Sequence, residues 1–200
     1  MLPFINVPYD DEYETLYLAL ISGLSGFGLI PQAVLQIPGS ERRLDRLFSL
    51  IHSCRYSFHD LCRVELDLRR PPTPRFNMPF ELGLVVAWAE HGDRQHSWYV
   101  FEARNRRVAK SLSDLDGTQI YIHGGSPTGV LVQLANALAR SKYQPTVREL
   151  KSVYRDLKKA AVSIKNDYGT LYDTRPFLDL VYAASRFARN RIQESKERKT

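Results

Sequence analysis

The chain is poor in sulfur. It has two cysteines in 200 residues, Cys54 and Cys62. They bracket a predicted strand and form no CxxC pair, which argues against a disulfide framework and supplies no zinc-ligand spacing; both read as buried thiols. No apolar run approaches the ~18 residues of a membrane span. The N-terminus has no basic segment followed by an apolar stretch and a cleavage site, so the expected location is cytoplasmic. No glycine-rich loop follows the first predicted strand, which excludes the usual dinucleotide fingerprint and the P-loop. Ser57 lacks the context of a nucleophile elbow, and there are no internal repeats.

What is present is enough apolar material for a sizeable core, at 44% of residues. The charge is unevenly spread. Residues 1–139 carry 13 Lys and Arg against 15 Asp and Glu, while residues 140–200 carry 15 against 7. The basicity belongs to the tail. Such a tail is read as a solvated helix face, with nucleic acid as a partner not favoured.

Along the chain, short apolar runs alternate with helical periodicity. Strands are predicted at 4–7, 29–35, 56–61, 98–101 and 119–123, the second edge-like because of Pro31. Between them lie a helix carrying Tyr13, Leu16, Tyr17, Leu20 and Leu24, and a second over 41–53 with Leu44, Leu47, Phe48 and Ile51 on one face. A third begins near Asn77, and a fourth opens at Ser126-Pro127. Five strands separated by helices predict an α/β fold, flavodoxin-like, with a five-stranded parallel sheet in the order 2-1-3-4-5 and helices on both faces. After residue 143 two long amphipathic patterns predict a helical hairpin. The domain reading is therefore 1–142 for the α/β unit and 143–200 for a helical extension, through which self-association into a homo-oligomer is expected.

The central stretch is Arg75-Phe76-Asn77-Met78-Pro79-Phe80-Glu81-Leu82-Gly83. Asn77 is predicted to cap the helix, and Pro79 and Glu81 to occupy its first turn, where a carboxylate meets the positive end of the helix dipole. That alone explains an acid there. Gly83 predicts a close approach to the helix backbone. In a sheet of this order, ligands bind beyond the strand ends where the order reverses, so Tyr9, Asp10, Asp60, Asn77 and Glu81 are expected to converge. Carboxylates and aromatic rings flanking a cleft suit an oxocarbenium-like transition state at a ribosyl carbon. His59 and His123 end strands near the same place, but no ligand spacing supports a metal.

The segments Phe4-Ile5-Asn6-Val7-Pro8-Tyr9-Asp10, Ser57-Phe58-His59-Asp60 and Asn77-Met78-Pro79-Phe80-Glu81-Leu82-Gly83 together resemble bacterial TIR-like proteins of the nucleoside 2-deoxyribosyltransferase-like superfamily. The resemblance covers residues 3–140. It implies that Glu81 is the catalytic carboxylate, that Tyr9 and Asp60 position the substrate, and that the reaction is N-glycosidic cleavage of NAD or a related nucleotide, with no cofactor. Nucleoside 2-deoxyribosyl transfer and a non-catalytic TIR-like nucleotide-binding and assembly module are the alternatives. The loop before the Glu81 helix is basic and Pro-rich at 69–75, where the transferases carry an acidic, Gly-containing one. That difference turns the expected ligand toward a phosphorylated one, with Arg75 beside it.

Overall fold

In the computed structural model, residues 1–36, 42–63, 66–67, 70, 72–92 and 95–197 are described, with backbone alone at 66–67 and 194–197. The loop 69–75 is thus described only in part; Arg69 and Pro71 lie outside the described residues. In chain order the elements are β1 (Pro3–Asn6), α1 (Glu14–Gly26), α2 (Arg43–Ser53), β2 (Tyr56–Asp60), β3 (Leu66–Asp67), β4 (Thr73–Pro74) and α3 (Asn77–His91). There follow β5 (Ser97–Glu102), α4 (Arg107–Ser111), β6 (Ile120–Ile122), α5 (Pro127–Ala137), α6 (Val147–Tyr168) and α7 (Thr174–Glu197).

The main sheet is parallel and four-stranded, in the order β1-β2-β5-β6. The five-stranded sheet in the order 2-1-3-4-5 is therefore corrected. Segment 29–35 contributes one bridge, Phe4 to Gln32, flanked by hydrogen bonds from Ile5 N–H to the Gln32 carbonyl (2.9 Å) and from Gln32 N–H to the Pro3 carbonyl (2.8 Å). It goes no further as a strand. Pro31 has no N–H for a ladder, the Ala33 N–H is taken by the Gln36 side chain at 3.0 Å, and the chain tightens into a 3₁₀ turn at Val34–Gln36.

Helices cover both faces. On one, α1 lies between the sheet and α5, α6 and α7, with Leu16 through Gly26 all buried. A Cβ at Gly23 would run into Leu134 and Leu131, and one at Gly26 into Leu150, so these two glycines let α5 and α6 approach closely. On the other face Phe4, Leu47, Leu50, Ile51 and Val85 form one cluster, and Leu61, Met78, Leu82, Val100 and Val108 another. Leu44 and Phe48, placed by periodicity on the buried face of α2, are partly exposed at its flank.

The C-terminal hairpin forms as its periodicity predicts. Thr146 and Glu149 make a reciprocal capping box at the start of α6, and Gly169 (φ 75°) ends it in the left-handed conformation. Leu150, Leu157, Phe177, Leu180 and Ala184 from the hairpin join the same buried cluster as α1. Both cysteines are free and buried. No helix among the described residues is long and apolar enough to cross a membrane.

Candidate functional site

Helix α3 begins one residue earlier than a capping Asn77 requires. Phe76 already has helical angles and makes no side-chain cap, so Asn77 is the first helical residue and is exposed. Glu81 consequently falls in the second turn, not the first. The buried face of α3 is Met78, Glu81, Leu82, Val85 and Ala89; Phe80 is 56% exposed, and nothing lies within 4 Å of a Cβ built on Gly83. The close approach expected at Gly83 is absent. What pins the helix is Asn6, at the end of β1, whose side-chain amide donates to the Met78 carbonyl at 3.0 Å.

That attachment rotates Glu81 inward, leaving it 5% exposed. Burial pushes its carboxyl up to about 7, against the opposing pull of the Arg43 guanidinium 3.6 Å away on α2. Tyr9 stands close enough to feel the Glu81 charge. Burial first, and Glu81 second, drive its phenol well above the ordinary range, and its hydroxyl is buried with no hydrogen-bond partner. Above this pair opens a cavity of about 350 Å³ lined by Tyr9, Val34, Leu35, Arg43, Arg46, Asp173 and Thr174. Glu81 is reached through Arg43. Two guanidinium groups on an otherwise mixed wall suit an anionic, phosphate-bearing ligand.

Asp10 and Arg75 do meet. The Arg75 Nη1 donates to Asp10 Oδ2 at 2.5 Å, Arg63 approaches the same oxygen at 3.5 Å, and Asp10 Oδ1 accepts from the Tyr13 N–H at 3.0 Å. Tyr172 from the C-terminal hairpin donates to the Asp10 carbonyl at 2.6 Å. The Asp10 carboxylate is thus engaged in fastening the loop after β1. Arg75 also lines a second, mostly apolar cavity of about 270 Å³ with Leu61, Phe76, Pro79, Val108 and Leu112.

Asp60 faces the other side of the sheet end. Tyr13 donates its hydroxyl to Oδ2 at 2.5 Å, the Cys62 N–H donates to Oδ1 at 2.9 Å, and His123 Nε2 lies 3.2 Å from Oδ2, not squarely aligned. Burial alone would raise the Asp60 carboxyl; the His123, Tyr13 and Cys62 bonds together bring it below its usual range. It is a satisfied, buried anion. Donor atoms of Asp60, Cys62 and His123 lie within 4.8 Å of one another, close enough to hold a metal. The hydrogen bonding does not fit one. A ligating imidazole turns its second N–H toward an acceptor, whereas His123 Nδ1 faces the Gly125 N–H donor at 3.2 Å and so carries a lone pair, leaving the proton on Nε2. The Cys62 thiol is also pushed far up by burial and by Asp60.

The structure therefore puts Tyr9 on the wall of one cavity with Glu81 behind Arg43, joins Asp10 to Arg75 beside it, encloses Asp60 in a separate network and leaves Asn77 at the surface. Arg43, Arg46 and Thr174 were not legible as site residues. The first two occupy what reads as the solvated face of α2, and Thr174 reads as a helix cap 165 positions from Tyr9. Asn6 left one signal, an amide inside an otherwise apolar strand. The chain matches no known protein-family model and no curated protein.

Proposed function

We propose that the protein is an N-glycosidase that cleaves the N-ribosyl bond of NAD or a related nucleotide, with Glu81 as the carboxylate that meets the ribosyl carbon. The observation that carries this reading is a buried glutamate, held near neutrality in its titration, beside an unpartnered tyrosine hydroxyl under a cavity walled by Arg43 and Arg46. Such a group is poised for chemistry rather than for stability. The C1′–N bond breaks with its electron pair passing to the nicotinamide nitrogen, which discharges the pyridinium. Ionised Glu81 stabilises or captures the ribosyl cation, and water then adds with loss of a proton, giving ADP-ribose and nicotinamide. The guanidinium groups hold the pyrophosphate, and the Tyr9 ring offers a face to the base. Displacement of Arg43 from Glu81 by the incoming phosphates frees the carboxylate.

The reading also draws on the resemblance to TIR-like and deoxyribosyltransferase-like proteins. Nicotinamide release, measured by chromatography at several protein concentrations with Glu81→Gln beside the parent, tests it. The expected result is release that falls by at least ~100-fold in the variant. Undiminished release from Glu81→Gln would remove Glu81 from the mechanism. One observation favours a second reading: Arg43, not Glu81, lines the cavity. A non-catalytic nucleotide-binding module would use the same cavity with Arg43 left in place over the acid. NAD binding by calorimetry without turnover is its signature, and base exchange from a deoxynucleoside separates it from 2-deoxyribosyl transfer.

A further inference from the structure

Helix α6 carries Arg148, Lys151, Arg155, Lys158 and Lys159, all exposed. Their spacing of three, four, three and one places them within one sector of a 3.6-residue helix, opposite the buried stripe of Leu150, Val153, Leu157 and Ala161. An ordinary solvated helix interleaves such cations with acids four residues away. Here the acids of the same stretch are used elsewhere. Glu149 is bound to Thr146 in the capping box, and Asp156 is turned toward α7, where it pairs with Arg191 at 3.0 Å. Among the described residues none of the five cations has an ion pair or hydrogen bond, and no acid stands in their row.

From this row we infer a docking surface for the phosphate backbone of a nucleic-acid duplex. From Arg148 to Lys159 the helix advances about 16 Å at ~1.5 Å per residue. Along that length a duplex presents about five phosphates per strand at ~3.4 Å of axis each, and those on the side facing the helix meet the row. Other anionic partners fit less well. A membrane surface requires an exposed apolar face beside the basic one, and the apolar face of α6 is buried against α1 and α7. A protein partner requires a cluster of apolar or aromatic anchors, and this sector offers one large exposed apolar side chain, Val162, a turn beyond the row. A straight array of cations without such a cluster fits a polymer read by charge alone, without base recognition.

The test is fluorescence anisotropy of labelled 20-base-pair duplexes, one DNA and one RNA, titrated with the full chain between about 50 and 200 mM KCl, the range over which such contacts lose affinity steeply. The expected result is binding to at least one duplex, with log affinity falling against log salt at a slope of about −3 to −5. The triple variant Lys151→Ala, Arg155→Ala, Lys158→Ala should bind at least ~10-fold more weakly, with the slope reduced by about 2 to 3. Lys110→Ala, at an exposed position on α4, should bind as the parent does. These substitutions are at exposed positions or outside the row, and unchanged thermal melting of the triple variant checks that α6 stays folded. Binding to neither duplex, equal binding by the triple variant, or binding only to vesicles of anionic phospholipid would each overturn the inference. Since no readout involves NAD, the outcome is independent of the proposed reaction.

Discussion

Two carboxylates stand at the same end of one sheet, and their surroundings drive them in opposite directions. Asp60 is buried among donors: a phenol, an imidazole N–H and a backbone N–H hold its charge and keep its carboxyl low. Glu81 is buried to a similar degree but has one cation at 3.6 Å and a phenol that does not bond to it, so burial prevails and its carboxyl rises to about 7. Burial is common to both; the number of donors decides the sign. An acid whose donors are complete stabilises a fold, and one whose donors are missing has capacity left for a ligand.

The largest effect that should separate them is Asp60→Ala. Removing the anion strands the Tyr13 hydroxyl in the core and takes away the carboxylate that the His123 ring faces at 3.2 Å, and unfolding stability should drop by about 3–5 kcal/mol in a urea titration. A loss no larger than that of an ordinary surface substitution would end the claim that Asp60 is structural.

Next comes Glu81→Gln, which should stabilise the protein at pH 8 by up to about 3 kcal/mol and change little at pH 4. The folded carboxyl titrates near 7 and the unfolded one near 4.5. The folded state therefore holds its proton more tightly, and that stability is complete below about pH 4.5 and lost as the pH rises through 7. Asp60 runs the other way: its contribution is present above the unfolded value of about 4 and disappears as the pH falls through its lower folded value. Melting curves of parent and Glu81→Gln across pH 4–8 that stay parallel would contradict the contrast. In the proposed reaction the ionised form works, so turnover by the parent should rise with pH through about 7.

Tyr13→Phe removes one of the Asp60 donors and should cost about 1–2 kcal/mol. The smallest effect belongs to Tyr9→Phe, which deletes a buried hydroxyl that already lacks a partner and should change stability by less than about 1 kcal/mol. A destabilisation by Tyr9→Phe as large as that of Tyr13→Phe would mean that the Tyr9 hydroxyl is bonded after all.

Much of the architecture was legible because it rests on long, repeated signals. The stripe Leu150, Val153, Leu157, Ala161 and the Thr146–Glu149 pair mark α6 over 22 residues, and the runs at Phe58 and Val100 mark buried strands. The sheet edge was less legible: periodicity over 29–35 is apolar enough for a strand, but Pro31 and the Gln36 side chain remove the donors a strand needs. The turn of α3 that carries Glu81 was misplaced, since a helix capped by Asn77 and one capped by Phe76 differ only in one backbone angle. Asp60 was assigned to the substrate because its partners are distant in sequence: Tyr13 and His123 lie 47 positions before it and 63 after. Arg43 was hidden by its helix, where one face serves both solvent and cavity.

The enclosure of α1 also has a consequence for synthesis. This helix is complete at Gly26, yet its apolar surface is covered by residues as late as Ala184. At ribosomal speeds of ~5–20 residues per second, that surface waits roughly 8–30 s for its cover. During that interval the nascent chain presents a nearly all-apolar helix, and holding it apart from its neighbours is a task for chaperones.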